Sequence, residues 1–196
     1  MDMESLTLCK YLISTNVELV NSTALGDCHC IGLRSFIINE KPKIRLFIAE
    51  PDCELYQNFN PTDPIIAIHP HRYDDIFIQL EGRLTHHIYQ LDGNMEFNKY
   101  GYLRLSDCDK RLHQIGTERL DYIGAMDDVK FLKSDTLHTA SISGNRCSWM
   151  IIETFENADF NQFAYHKDLV ERPELYKKIP DGVEYLNNYF INNLST

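Results

Sequence analysis

Histidine, aspartate and glycine fall at a regular spacing in the run Ile68-His69-Pro70-His71-Arg72-Tyr73-Asp74-Asp75, which continues through Ile76-Phe77-Ile78-Gln79-Leu80-Glu81 to Gly82. Side chains alternate along an extended chain, so His69 and His71 project from one face and both imidazoles can reach one ion. Three residues separate His71 from Asp75, and six more separate Asp75 from Gly82, a residue that permits a tight turn between strands. With 8 histidines in 196 residues, a His-x-His pair is expected by chance roughly 0.3 times, and requiring the acid and the glycine at their offsets lowers this to about 0.004. The joint pattern is therefore informative where the pair alone is not. The bland alternative makes His69 and His71 solvated loop residues and Asp75 a turn former.

The other candidates carry less. His86 and His87 are adjacent within a strand-like run, so they face opposite ways and at most one can line a pocket on a given face. His29, His113 and His166 lack partners at useful spacing and are expected at the surface. Cys28-His29-Cys30 offers metal donors at successive positions with no second cluster, a weak zinc signal, so a structural strand is the better reading. Arg45, Arg83 and Arg104 could hold a substrate carboxylate bidentately, although a surface ion pair is the commoner fate of such residues.

The elements that must position these residues are mostly strands. Leu6, Leu8, Tyr11, Leu12, Ile13, Val17, Leu19 and Val20 suit one or two short helices broken at Ser14 to Asn16. From about Cys30 the chain turns to short β-branched and aromatic runs: Ser35 to Asn39, Ile44 to Ala49, Ile65 to Ile68, Ile76 to Leu80, Thr85 to Leu91, Tyr102 to Leu105, Val129 to Leu132, Thr139 to Ile142 and Ser148 to Thr154. Asp92-Gly93-Asn94 reads as a turn and Ser143-Gly144-Asn145 as a hairpin. Asn161 to Val170 and Val183 to Ile191 read as helices, with Pro173 and Pro180 as breaks. One domain is expected, with residues 1–27 as a helical N-terminal segment, 28–155 as a β-barrel and 156–196 as a helical C-terminal segment.

Net charge narrows the partners. At −10 the surface repels phosphate backbones, and no basic tract is present to release counterions, so nucleic acid is not expected. No apolar stretch reaches the roughly 20 residues that cross a bilayer, and Met1-Asp2-Met3-Glu4 has no signal-peptide character, so a soluble cytoplasmic protein with no membrane partner is expected. Six scattered cysteines are then expected as thiols.

The run His69-x-His71-x3-Asp75-x6-Gly82 resembles the first motif of the cupins, with Asp where that family usually has Glu. Ser134-Asp135-Thr136-Leu137-His138-Thr139, leading through Gly144 to Trp149-Met150-Ile151-Ile152, looks like their second motif, which supplies one more histidine. The Asn usual after it is replaced by Ile142, and the glycines that normally precede it are absent. The resemblance spans about residues 44–155. It implies a mainly β fold, a cupin-type double-stranded β-helix (jelly-roll) barrel, holding one divalent transition metal through His69, His71, Asp75 and His138. Three imidazoles and a carboxylate suit iron, manganese, nickel or zinc and leave one or two positions open for chemistry; the resemblance puts iron(II) first.

A narrower likeness is to the thiol dioxygenases, iron cupins of similar length that also begin with helices. Asp75 departs from their three-histidine pattern, and Phe155 stands in the region where their tyrosine would fall. The 2-oxoglutarate oxygenases use His-x-Asp or His-x-Glu, and since residue 71 is His that reading would need His71-x-x-Asp74 or another non-standard choice. The resemblance thus implies a metal-dependent enzyme, a non-haem iron dioxygenase acting on a small polar molecule; a second copy of the chain, in a homodimer, is the one macromolecular partner considered. A cupin isomerase or epimerase is the alternative enzyme, and a small-ligand-binding or structural cupin the alternative without catalysis.

Overall fold

In the computed structural model, which describes residues 3–104, 110–158, 163–168 and 175–191, the chain opens on α1 (Met3–Thr15) and α2 (Val17–Thr23). Leu6, Cys9 and Ile13, at i, i+3 and i+7, form the buried stripe of α1. The break falls at Asn16, whose backbone N–H and Nδ2 both donate to the Leu12 carbonyl, at 3.1 and 3.0 Å. A third helix, α3 (Gly182–Ile191), starts where Asp181 Oδ1 accepts the Glu184 N–H at 2.8 Å. Asn21 Oδ1 accepts the Val183 N–H at 2.9 Å and ties α3 to α2.

The rest of the described chain is mainly antiparallel sheet: β1 (Leu25–Gly26), β2 (Leu33–Glu40), β3 (Lys43–Ala49), β4 (Tyr73–Arg104), β5 (Lys110–Asp127), β6 (Phe131–Leu132), β7 (Leu137–Glu156), β8 (Phe163–His166) and β9 (Lys177–Lys178). The order is β5-β4-β7-β3-β2-β1-β9, with β6 and β8 also on β4. Alternation divides the core. Ile44, Leu46 and Ile48 of β3 and Met150 of β7 pack against the helices, while Phe47, Ala49, Cys147 and Trp149 face the opposite way, with Phe77, Leu84 and Ile142.

The strands are longer than their local signals suggest. Ile76 to Leu80, Thr85 to Leu91 and the described part of Tyr102 to Leu105 are one strand, β4, and Thr139 to Ile142 joins Ser148 to Thr154 in β7. Leu105 itself and Cys108 lie outside the described residues. No hairpin forms at Ser143-Gly144-Asn145: β7 pairs with β4 on both sides of it, from Tyr73↔Glu156 to Tyr89↔Leu137. Asp92-Gly93-Asn94 is likewise no turn between strands, since Leu91 and Met95 both oppose Leu120 of β5. Both signals mark β-bulges, in which extra residues bend a strand that continues. The bend in β4 falls at Gly82, where φ is +70° and a Cβ would collide with the Arg146 carbonyl.

Two further expectations fail. Within the expected helix Asn161 to Val170, Phe163–His166 is strand β8; residues 161–162 and 169–170 lie outside the described ones. Tertiary pairing overrides periodicity here. Tyr165 is fully buried, exchanges backbone hydrogen bonds with Ile68 at 2.9 and 2.7 Å, and donates its hydroxyl to Glu118 Oε2 at 2.6 Å. Cys28-His29-Cys30 is a bend between β1 and β2, with Asp27 and His29 at φ +51° and +70°. Asp27 Oδ1 holds the bend by accepting from the Gly32 N–H and from Arg34, both at 2.9 Å. Of Ile65 to Ile68, Ile68 alone pairs, by an isolated bridge.

The pairings also close on themselves. Ile88 of β4 opposes His138 of β7, His138 bridges to His69, Ile68 bridges to Tyr165 of β8, and Tyr165 opposes Lys99, back on β4. Ile68, Tyr89, Phe97, Leu120, Leu137 and Tyr165 cluster at this closure. No helix among the described residues is long and apolar enough to cross a membrane.

Candidate metal centre

His69 and His138 are brought face to face by the backbone. The His69 N–H donates to the His138 carbonyl at 3.0 Å, and the His138 N–H returns to the His69 carbonyl at 3.2 Å. Residues directly opposed in an antiparallel pair present their side chains on the same face. Two residues on, the His71 N–H donates to the Ser134 carbonyl at 3.0 Å and keeps the segment extended along β7's approach. Pro70 between them has no N–H to leave unpaired. Ligand atoms of His69, His71 and His138 all lie within 4.8 Å of one another.

Hydrogen bonds fix the rings. His69 Nδ1 donates to the Ala67 carbonyl at 2.8 Å and His138 Nδ1 to the Thr136 carbonyl at 3.3 Å, since a carbonyl can only accept. His71 Nδ1 rests on Asp75 Oδ2. With Nδ1 protonated, each Nε2 carries a lone pair, and His71 Nε2 stands 3.3 Å from His69 Nε2. Two facing lone pairs repel unless a proton or a cation lies between them. Burial depresses the basicity of His69 to about 3, with the neighbouring His71 adding to it. Burial likewise pushes His138 well below the ordinary histidine value, helped by His71, His69 and His86. Protons are thus disfavoured there, and the donor set fits a soft-to-borderline divalent ion of the kind imidazole binds.

Of the four residues expected as ligands, three converge and Asp75 stands behind one of them. Asp75 is buried on the same face of β4 as Phe77, and its contact is the far nitrogen of His71. Burial raises its carboxyl above the usual carboxylate range, which His71 partly reverses. Asp74 points away, its Oδ1 accepting the Ser134 N–H at 2.8 Å. The expected alternation of the two carboxylates is present.

Two neighbours of the cluster were underweighted by spacing alone. His86 is 2 % exposed, with its ring centroid 5.3 Å from that of His138. His87, one residue on, faces the other side, stacked on Phe59 and bonded to Tyr122 Oη at 3.1 Å and Ser141 Oγ at 2.7 Å. His29 lies at the surface, as expected, yet its ring stacks 6.5 Å from His69 and its Nδ1 is 3.0 Å from Tyr176 Oη. Its link to the site comes from the bend at Asp27 to Cys30, which no spacing rule predicts. The flanking thiols are free among the described residues, and Cys30 and Cys53 are 3.9 Å apart at Sγ. Arg83 is exposed near Asp127, at 3.7 Å. Arg45 is half-buried beside Phe47, and the side chain of Arg104 lies outside the described ones.

Compared with models of protein families the chain matches none, and compared with curated proteins it is recognisably similar to none. The functional reading therefore stands on the geometry above.

Proposed function

We propose that His69, His71 and His138 form a three-histidine centre for one divalent transition metal, iron(II) first, in a cupin-type barrel, and that the protein is a non-haem iron dioxygenase acting on a small polar molecule. The observation that carries this reading is the convergence of one donor atom from each of three histidines within 4.8 Å, with the Nδ1 of every ring already held by a hydrogen-bond partner. When bound, the metal would supply open positions at which oxygen and substrate meet as neighbours. The chain's own residues do the rest. Ala67, Thr136 and Asp75 orient the rings, and Phe77 packs against the neighbouring His86. Asp75 belongs to the support of His71 in this reading and is not itself a ligand. The closed circuit of strand pairs and the antiparallel sheet support the barrel.

Metal analysis tests this directly. Protein reconstituted without oxygen should hold close to one iron(II) per chain and melt at a higher temperature, and His138→Ala should abolish both effects. If iron, manganese, nickel and zinc all leave the melting temperature unmoved, the centre does not exist. Iron uptake without oxygen consumption across a panel of small thiols, diols and carboxylic acids would turn the reading toward an isomerase or a ligand-binding protein.

A further inference from the structure

Among the described residues, His86 is a buried side chain with both of its polar atoms unpartnered. It lies on β4 opposite Ala140 of β7, with Ile88 opposite His138, so His86 and His138 are diagonal neighbours on one face. It is 2 % exposed, and neither Nδ1 nor Nε2 has a hydrogen-bond partner among the described residues. Phe77 closes one side, ring edge to face at 4.5 Å. The adjacent His87 shows that the fold can satisfy a buried imidazole here, for both of its nitrogens are bonded. An unpartnered buried imidazole forfeits the hydration of both nitrogens, whereas a phenylalanine would fill the same space without that loss. A polar ring kept in such a place points to a polar partner outside the described residues, and the neighbouring three-histidine cluster makes a bound ligand the natural one.

The ligand cannot simply be the ion. His86 falls outside the group whose donor atoms lie within 4.8 Å of one another, although its ring is about as far from His138 as His69 is, at 5.3 against 5.2 Å. We propose that His86 donates a hydrogen bond to the small anionic or hydroxyl-bearing group that occupies an open position of the metal beside His138, and so selects substrates able to accept it. This rests on the three-histidine metal reading. A neutral imidazole offers one N–H and one lone pair, so it holds such a group without adding charge to a centre that already carries a dication.

Azide binding to the cobalt(II)-loaded protein tests the assignment, because azide accepts hydrogen bonds and shifts the visible bands of cobalt. Wild type, His86→Phe and His86→Gln should each take up one cobalt with affinities within about threefold of one another, as expected for a residue that is not a ligand. His86→Phe should bind azide at least about tenfold more weakly, while His86→Gln, which keeps an N–H donor, should stay within about threefold of wild type. Equal azide affinity in wild type and His86→Phe overturns the role of His86 and leaves the metal centre intact. Loss of cobalt by folded His86→Phe makes His86 a ligand and also overturns it. A wild type that takes up no cobalt overturns the metal reading, and this one with it. Should His86→Phe fail to fold, azide added to zinc-loaded, 15N-labelled wild type must move the His86 ring-nitrogen resonances, and their constancy overturns the proposal.

Discussion

Asp74 and Asp75 are chemically alike and adjacent, yet their surroundings assign them different work. Asp75 is buried against His71 Nδ1, so truncating it frees the ring to rotate and removes the acceptor that fixes its orientation. Asp75→Ala should weaken metal binding by about 10- to 100-fold, the range typical of such supporting carboxylates, while His69→Ala should abolish it. Asp74 instead holds the Ser134 N–H at 2.8 Å; Asp74→Ala should cost about 1 kcal/mol of stability and leave metal affinity within a few-fold. Titrating cobalt(II) into the three variants checks the order, and Asp74→Ala weaker than Asp75→Ala would mean the carboxylates have exchanged roles. The shared face of His69, His71 and Asp75 was legible because strand alternation converts an i, i+2 spacing into one side of the chain, but the expected ligand role of Asp75 was not met, its carboxylate resting on His71 Nδ1. His86 and His29 were not legible, because their proximity depends on how β4 and β7 register and on a left-handed bend at His29, neither of which is encoded by local spacing.

At the scale of elements, the turn-forming residues were recognised and their job was misjudged. Gly82 and Gly144 lie where β4 and β7 slip register, with the Gly82 Cα 3.8 Å from the site of a Cβ on Gly144. Glycine at a strand's end and glycine in a bulge look the same in sequence; only the partner strand, continuous across both, tells them apart. The same holds for Phe163 to His166, whose strand character comes from Ile68 on one side and β4 on the other. Gly82→Ala is therefore expected to be severe. It combines a strained φ of +70° with a collision against the Arg146 carbonyl, and should cost upwards of about 2 kcal/mol in urea unfolding. Gly116→Ala is the control, since a Cβ there meets nothing within 4 Å; its effect should lie within about 1 kcal/mol. Equal midpoints for the two variants would show that β4 does not bend at Gly82.

For the whole molecule, the buried histidines set how it responds to acid. Burial pushes His69 down to about 3 and His86 and His87 to about 4, and takes His138 well below its ordinary value. In the unfolded chain each accepts a proton near pH 6.5. Below that pH the unfolded state binds more protons than the folded one, so stability rises with pH and is lost as pH falls, by up to about 1.4 kcal/mol per unit for each such histidine. The loss from His86 and His87 continues to about pH 4, and that from His69 to about 3. Asp75 acts in the opposite sense: its carboxyl is raised from the ordinary 3.8 by burial, so the folded state keeps its proton longer and recovers part of the loss at the acid end. Metal-free protein should then show a melting temperature that is level above about pH 7 and falls steeply between about 6.5 and 4.5. Bound metal competes with the same protons, so the loaded protein should hold its plateau further into acid and then drop as the ion leaves. A metal-free melting temperature that stays flat down to about pH 5 would mean that these imidazoles are not buried as neutral rings, and the packing of β4 against β7 around His86 and His138 would have to be redrawn.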